Sequence, residues 1–99
     1  MYQIAIVARL KDGVEAQAAE LIRQGPPLDL ASAGFERHHV FLSATEVVFV
    51  FEGHEVEWTL DKLVGDPFQW MLNEALSTWK DLLEAPPRIA RPLYVWERA

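Results

Sequence analysis

Two neighbouring segments in the middle of the chain are apolar on both of their sides. Phe35–Ser43 reads FERHHVFLS and Thr45–Gly53 reads TEVVFVFEG, and both are rich in the β-branched and aromatic residues that favour strands. The apolar residues of the second segment alternate between its two sides, with Val47, Phe49 and Phe51 on one and Val48 and Val50 on the other. An antiparallel sheet with one side in water does not need this pattern, so both faces of the sheet are predicted to be covered.

The length of the chain limits what can cover those faces. The 99 residues fit a single domain spanning 1–99, and they supply enough helix for only one face. We therefore expect a second copy of the chain to cover the other face, which predicts a homodimer that meets through its sheets.

A strand and an amphipathic helix precede the central segments. Tyr2–Leu10 alternates like a strand, and Asp12 followed by Glu15 resembles a capping box that would start a helix at Asp12. The apolar stripe of this helix consists of Val14, Ala18, Leu21 and Ile22. Gly25 provides the left-handed position at which helices end, and two prolines follow it, so Gly25–Gly34 is predicted as a loop with room for one helical turn.

The two central strands are predicted to form a hairpin that turns at Ala44–Thr45. In that register Arg37 lies opposite Glu52, which is a favourable cross-strand pair. The neighbouring pairs are His38 with Phe51 and His39 with Val50. Ala-Thr is not a preferred two-residue turn, so the register depends on the side-chain pattern.

The back half of the chain begins with a second helical region. It starts over His54–Val64 and restarts with Asp66 as the N-cap and Pro67 at the first helical position. Its stripe has a helical period and consists of Phe68, Met71, Leu72, Ala75, Leu76, Trp79, Leu82 and Leu83. The last strand is predicted over Ile89–Arg98, where Pro92 fits only an edge strand because it has no N–H to donate.

The order is therefore strand, helix, strand, strand, helix, strand. Two split βαβ units of this kind build a ferredoxin-like α+β sandwich, with a four-stranded antiparallel sheet and both helices on one face.

The whole pattern resembles the dimeric α/β-barrel group, whose ferredoxin-like domains pair their open sheet faces. The group includes antibiotic-biosynthesis and haem-degrading monooxygenases, muconolactone isomerases, stress-responsive barrel proteins and L-rhamnose mutarotases. The resemblance rests on VARLKDGVEAQAAELI at the front and on GDPFQWMLNEALSTWKDLL and LYVWER at the back. The back half is most similar to the mutarotases, which have a Trp-containing second helix and a final strand that ends in aromatic residues.

The chain departs from two branches of this group at the residues that carry their chemistry. Mutarotases have His and Tyr on the first helix, which here reads VEAQAAELIRQ. Haem-degrading relatives use an Asn on the first strand and a His on the second helix, whereas Ile4–Ala8 is aliphatic and no His occurs between Glu55 and Leu83. The resemblance thus implies a fold and a small-molecule ligand, and it transfers no catalytic residue and no cofactor.

Composition narrows the classes of partner. The net charge is −6, and Lys and Arg are scattered singly, so nucleic acid is not expected as a partner. No apolar run approaches the roughly 20 residues of a membrane span, and the N-terminus does not read as an export signal. The absence of cysteine excludes disulfides, thiolate metal sites and cysteine nucleophiles, and cytoplasm is the expected compartment.

His38 is the candidate catalytic residue. In the predicted register it shares the more apolar face with Val40, Leu42, Phe49 and Phe51, which is expected to lie under the helices. A histidine there could act as an acid or a base whose pKa is tuned by burial. The alternative is a core histidine with one hydrogen bond to the backbone.

His39 points to the opposite face, because successive strand residues alternate. With Arg9, Arg37 and Glu52 it is predicted to form a polar patch within an apolar interface, which could bind an anion or a carboxylate. The alternative is interface salt bridging without a ligand. Glu36 and His38 could supply two metal ligands, but no third is evident, so no metal site is predicted.

Trp70 and Tyr94 are candidate ligand-binding residues. Trp70 is predicted to line a pocket between helix and sheet, and the alternative is packing against the Gly25–Gly34 loop or a partner chain. For Tyr94 and Trp96 on the last strand, one prediction is that they line the same cavity, and the other is that they seal the edge of a dimer.

These features favour a small-molecule enzyme or binder that works without a permanent cofactor. Its pocket would lie around His38, Trp70 and Tyr94, and its chemistry would be proton transfer on a small polar or aromatic metabolite, as in an isomerase, mutarotase or monooxygenase-like protein. The alternative is a non-catalytic dimerisation or ligand-sensing module whose His and Trp residues only pack.

Overall fold

The computed structural model describes residues 2–25, 30–31, 34–54 and 77–98. The first strand, β1, spans Tyr2–Arg9, and the first helix, α1, spans Glu15–Arg23. The central strands β2 and β3 span Phe35–Leu42 and Glu46–Gly53. The remaining elements are a short helical segment, α2, at Ser77–Lys80 and a short strand, β4, at Arg88–Ala90.

The four strands form one antiparallel sheet in the order β2-β3-β1-β4. The register of the central hairpin is the predicted one, with Arg37 opposite Glu52, His38 opposite Phe51 and His39 opposite Val50. Sheet order and element order together are those of a ferredoxin-like α+β fold, so the predicted fold class is confirmed.

One face of the sheet, the inner face, carries the hydrophobic core. Its central pairs are Ile4 with Phe51 and Ala8 with Val47, and all four side chains are buried. Four residues from the helical regions pack over it, namely Ala18 of α1 and Trp79, Leu82 and Leu83 from the second helical region. The rest of the predicted α1 stripe, Val14, Leu21 and Ile22, packs against the same core.

An irregularity in β2 adds one residue to the core. The pairing with β3 shifts between Phe35 and Arg37, so β2 carries one extra residue at this point. Strict alternation would put Phe35 on the same side as Arg37, facing away from the core. The shift lets Phe35 become buried, with its ring 4.9 Å from that of Phe51.

The start of α1 differs from the prediction. The helix begins at Glu15, its N-cap position is Val14, and no side chain caps it, so the predicted capping box at Asp12 is wrong. Gly13 adopts a φ of 76°, and this left-handed residue turns the chain before the helix can begin. The predicted end is confirmed, because Gly25 has a φ of 91° just beyond the helix.

The second helical region is described only from residue 77 onward, so the predicted starts at His54–Val64 and at Asp66 lie outside the described residues. The helix ends at Lys80, three residues before the end of the predicted apolar stripe at Leu83. The last turn tightens, with hydrogen bonds from the Leu82 N–H to the Trp79 carbonyl and from the Leu83 N–H to the Lys80 carbonyl. Leu83 then forms a bridge to Leu10, which fixes this end of the region to the end of β1.

The last strand is much shorter than the predicted Ile89–Arg98. It ends at Ala90, directly before Arg91 and Pro92. Proline has no N–H for the sheet ladder, so pairing with β1 stops there. β4 does lie at an edge of the sheet, as the proline required.

We expect Trp79→Ala to lower the free energy of unfolding by about 3–5 kcal/mol, because it deletes a buried indole from the core. The Trp79 side chain is 8% exposed and meets the Phe49 ring edge-on, with ring centroids 5.1 Å apart. Chemical denaturation measures the change, and Lys80→Ala is the matched control because Lys80 is the exposed neighbour on the same helical turn. A loss below about 1 kcal/mol would contradict this placement of Trp79.

Candidate functional site

His38 lies on the inner face near the edge of the sheet. The side chain is half-buried, and its Nδ1 is 3.0 Å from the carbonyl oxygen of Val50 on the neighbouring strand. A carbonyl can only accept, so Nδ1 carries the hydrogen and donates it. In the neutral ring the other nitrogen, Nε2, is then left with the lone pair that can accept a proton or a ligand's hydrogen bond.

The His38 ring lies against aromatic side chains of β3. It stacks on Phe51, with ring centroids 4.4 Å apart and planes inclined by 26°, and it is nearly parallel to Phe49 at 6.4 Å. Phe49 in turn contacts Trp79 edge-to-face. The histidine therefore lies at one end of a row of rings, and its stacking on Phe51 helps to fix its orientation.

Burial is the largest influence on the titration of His38 and lowers its pKa. The hydrogen bond to the Val50 carbonyl opposes this shift, and the nearby His39 adds a smaller lowering. The net result is a pKa below the ordinary value for histidine, so the ring is mostly neutral at pH 7. A neutral, oriented imidazole with a free acceptor nitrogen is the form that a general base requires.

Glu36 does not reach His38, although the two are close in sequence. It lies opposite His54 instead, with 3.7 Å between Glu36 Oε1 and His54 Nε2. Within residues 2–25, 30–31, 34–54 and 77–98, no three His, Asp or Glu side chains come together as metal ligands.

The opposite face of the sheet, the open face, carries a polar cluster at one end. Glu52 accepts a hydrogen bond from Gln3 Nε2 at 2.9 Å and pairs with Arg37 Nε at 3.3 Å. The Glu52 side chain is only 15% exposed, while Arg37 is 69% exposed. This cluster joins β1, β2 and β3, and it realises the predicted cross-strand pair of Arg37 with Glu52.

The predicted polar patch of Arg9, Arg37, His39 and Glu52 is not a single cluster. Arg9 lies opposite Glu46, whereas Glu52 lies at the other end of β3. The distance along the strand from Glu46 to Glu52 is about 20 Å at the usual rise per residue. It pairs with Glu84 at 3.5 Å instead. His39 lies between the two ends and contacts the Phe41 ring edge-on at 5.7 Å. Residues on the same face of a sheet can lie far apart along the strands, so a shared face does not bring Arg9 close to Glu52.

The apolar side chains of the open face differ in their exposure. Val50 is buried, and Ala5, Val7 and Val48 are half-buried. Phe41 on the edge strand β2 is 59% exposed and is the large apolar side chain of this face that remains most open.

Tyr94 does not line the inner face. Its side chain is 80% exposed and lies beyond the end of β4, in the chain that follows Pro92. Trp70, the other predicted ligand-binding residue, lies outside the described residues. The predicted roles of His38, His39, Arg9, Trp70 and Tyr94 toward a ligand stay predictions.

Sequence reasoning offered a backbone hydrogen bond for His38 as one alternative, but it did not identify the carbonyl that accepts it. The register gave its neighbour Phe51, but the hydrogen bond goes to the carbonyl of the preceding residue, Val50. No side-chain pattern marks which carbonyl an imidazole will reach, because every residue of a strand carries one. It also missed Gln3, whose position opposite Glu52 follows only from the pairing of β1 with β3.

Comparison with known proteins extends the fold assignment. No family model and no curated protein matches the sequence. Among solved structures, the chain is similar to tetracenomycin F2 cyclase from Streptomyces glaucescens, a type-II polyketide cyclase, with a TM-score of 0.64 and 15% sequence identity. The match covers 100% of both chains. It supports the ferredoxin-like α+β fold over the full length.

None of the helices in the described part of the chain has the length and apolar character needed to cross a membrane.

The lowered pKa of His38 predicts a pH dependence of stability. The unfolded chain binds a proton at His38 near pH 6.5, whereas the folded chain binds it only at lower pH. The free energy of unfolding should therefore be highest above pH 6.5 and fall as the pH drops below 6.5 toward the folded-state value. Urea denaturation at pH 7.5 and pH 5.5 measures this change.

The control variants isolate the contribution of His38 to that dependence. In His38→Gln the free energy of unfolding should decrease less between pH 7.5 and pH 5.5 than it does in the wild type. In His39→Gln, a change on the open face, it should decrease nearly as much as in the wild type. An NMR titration in which the His38 ring protonates above the ordinary histidine range would contradict the prediction.

Proposed function

We propose that this protein binds a small planar metabolite on the inner face beside His38 and promotes a proton transfer on it. The observation that carries the proposal is the His38 ring itself. Its Nδ1 donates a hydrogen bond to the Val50 carbonyl, its ring stacks on Phe51, and its Nε2 is the nitrogen that can accept a proton from a ligand.

The chemistry of these side chains favours a flat, partly aromatic ligand. Phe51 and Trp79 are buried, so Phe49, which is half-buried and nearly parallel to the His38 ring, is the ring of this row on which a planar ligand could stack. A ligand there would place an acidic C–H or O–H near Nε2. The imidazole would take that proton, and the resulting imidazolium would return it to a different carbon or oxygen of the same ligand, so that no external donor or acceptor is consumed.

The fold of a known cyclase supports this substrate class. Tetracenomycin F2 cyclase is a polyketide cyclase, and the present chain shares its fold over its full length. Cyclisation of a polyketide requires proton transfer at carbon atoms next to carbonyl groups, which is a task for a neutral imidazole. We therefore propose aromatic ketones and phenols as the ligand class and a cofactor-independent isomerisation or cyclisation as the reaction.

A second candidate function is a ligand-sensing or dimerisation module that performs no reaction. The observation that favours it is the same hydrogen bond, because an imidazole anchored to a backbone carbonyl and packed on Phe51 also satisfies the needs of a structural histidine. Binding without proton transfer is the outcome that identifies this alternative.

We expect 1-tetralone, a bicyclic aromatic ketone, to bind the wild-type protein and to exchange its α-hydrogens with D₂O faster than in buffer. His38→Gln should bind the ketone with nearly the wild-type affinity, because glutamine keeps a hydrogen-bonding group. Its rate of exchange should be at least tenfold lower, because glutamine cannot transfer a proton. Tryptophan fluorescence measures binding, and proton NMR measures exchange.

His39→Gln is the matched control, since it makes the same change one residue away on the open face. It should bind and exchange like the wild type. Exchange that is unaffected by His38→Gln would contradict the proton-transfer role, and binding of L-rhamnose in place of 1-tetralone would favour a mutarotase-like protein. Binding without exchange would favour the sensing module.

We also infer that the open face meets the open face of a second copy, which gives a homodimer. Phe41, Val48 and Val7 form the apolar centre of this contact, and soluble monomers rarely leave such a surface open. The Gln3–Glu52–Arg37 cluster would then be enclosed at the rim of the interface.

We expect loss of either charge of the Arg37–Glu52 pair to weaken the dimer, because the remaining charge would be left poorly solvated in the interface. Arg37→Met and Glu52→Leu should each raise the dissociation constant several-fold, and the double variant should recover much of the loss. Analytical ultracentrifugation measures the constants.

The exposed Arg23–Glu20 pair of α1 is the matched control, with 3.1 Å between its charged atoms and side chains 70% and 61% exposed. Arg23→Met should leave the dimer unchanged. Additive losses in the Arg37→Met/Glu52→Leu variant would show that the two charges do not act together in the interface.

A further inference from the structure

We propose that Phe35 is a positioning residue for His38, and that the extra residue in β2 brings Phe35 into place. Phe35 does not act on a ligand. It supports the ring of Phe51, and Phe51 in turn holds the His38 ring in the orientation that leaves Nε2 free to accept a proton. This inference rests on the proposed role of His38 and deepens it.

The Phe51 ring contacts both of the other rings. Its centroid is 4.9 Å from that of Phe35 and 4.4 Å from that of His38, with interplanar angles of 42° and 26°. Phe51 is 6% exposed and Phe35 is 7% exposed, whereas His38 is half-buried. Protein interiors are packed with few voids, so the Phe51 ring cannot shift into the space that Phe35 occupies. Phe35 therefore limits how far Phe51 can move relative to His38.

The pairing of the strands leaves this support to Phe35. The residue of β3 opposite Phe35 is Gly53, which has no side chain. On β1, the residue opposite Phe51 is the aliphatic Ile4. Among the described residues, the rings that contact Phe51 are those of Phe35 and His38.

The backbone on either side of Phe35 brings its ring to the inner face. Gly34 has a φ of 89°, and the Phe35 N–H donates to the Leu30 carbonyl at 3.0 Å, so a turn leads directly into β2. Without the shift in pairing, Glu36 would lie on the inner face and its carboxylate would have to be buried. The shift leaves Glu36 exposed and buries Phe35 instead. Bulges of this kind often re-aim side chains next to functional sites.

The support of the His38 ring affects which of its nitrogens carries the hydrogen. A histidine ring can turn over a wide range about the bond that joins it to Cβ. The single hydrogen bond from Nδ1 to the Val50 carbonyl, at 3.0 Å, is therefore helped by stacking on Phe51, which restricts that rotation. If the ring turns, Nδ1 loses its acceptor and the hydrogen can move to Nε2, which then can no longer accept a proton.

Nuclear magnetic resonance of the ¹⁵N-labelled protein at pH 7.5 tests this role, because the nitrogen shifts report which nitrogen carries the hydrogen. We expect the hydrogen on Nδ1 of His38 in the wild type. In Phe35→Leu, which removes the ring but keeps an apolar side chain, about half of that population should move to Nε2. The pKa of His38 should also rise toward the ordinary histidine value, because a less fixed ring loses some of the burial that lowers it.

The same variant should separate binding from proton transfer. Phe35→Leu should bind 1-tetralone with nearly the wild-type affinity. It should exchange the α-hydrogens of the ketone about tenfold more slowly, because a misplaced proton acceptor slows the transfer more than it weakens binding.

Val47→Ala is the matched control. Val47 is fully buried on the inner face of the same strand as Phe51, and it lies opposite Leu42 and Ala8 rather than His38. This variant should lose thermal stability, as Phe35→Leu does, but it should keep the hydrogen on Nδ1 and the wild-type rate of exchange. Phe35→Met is a second test variant, because its flexible side chain refills the space without a flat ring, and it should behave like Phe35→Leu.

The other outcomes are equally decisive. A hydrogen that stays on Nδ1 in both Phe35 variants would overturn the proposal, since Phe35 would then only fill the core. Equal movement of the hydrogen in Val47→Ala would also overturn it, because any loosening of the core would then have the same effect. A wild-type protein that exchanges no α-hydrogen, but whose His38 hydrogen still depends on Phe35, would support the positioning role and contradict the proposed reaction.

Discussion

The pairing of β1 with β3 along their full lengths is the constraint on which the rest of the structure depends. It aligns Ile4 with Phe51 and Ala8 with Val47, and these side chains form the floor of the core that α1 and Trp79 cover. The same register joins Gln3 to Glu52 on the other face. Because the side-chain period of a strand is two, a slip of one residue would move every one of these side chains to the wrong face. Burial of the inner face therefore fixes the position of every candidate functional residue on β2 and β3.

The register of the β2–β3 hairpin determines which face each of the two adjacent histidines occupies. Its register gives His38 to the inner face and His39 to the open face, so two identical side chains meet different surroundings. His38 is anchored through Nδ1, stacked on Phe51 and kept mostly neutral by burial. His39 contacts Phe41 on the open face of the edge strand β2. Adjacent residues of one strand thus have different surroundings, and the sheet lies between them.

The parts of the fold that were predictable from sequence are those governed by side-chain periodicity. Alternation identified the two faces of β3, the assumed turn at Ala44–Thr45 placed Arg37 opposite Glu52, and the helical stripe identified Trp79 and Leu83 as core. Predictions that depended on backbone geometry were less successful. The start of α1 was decided by the left-handed Gly13 rather than by Asp12, and the end of β4 was decided by Pro92 rather than by the apolar alternation after it. The extra residue in β2 that buries Phe35 has no marker in the side-chain pattern.

The exposed segment at residues 93–96 shows why alternation alone can mislead about strands. Leu93, Tyr94, Val95 and Trp96 have the composition of a strand, yet within one copy they pair with nothing that the structure describes. The amino-acid composition of a segment indicates that it can form a strand, but it does not indicate which strand it would pair with. The apolar character on both faces of the central strands is accounted for on one side only, since the inner face packs against α1 and Trp79 of the same chain.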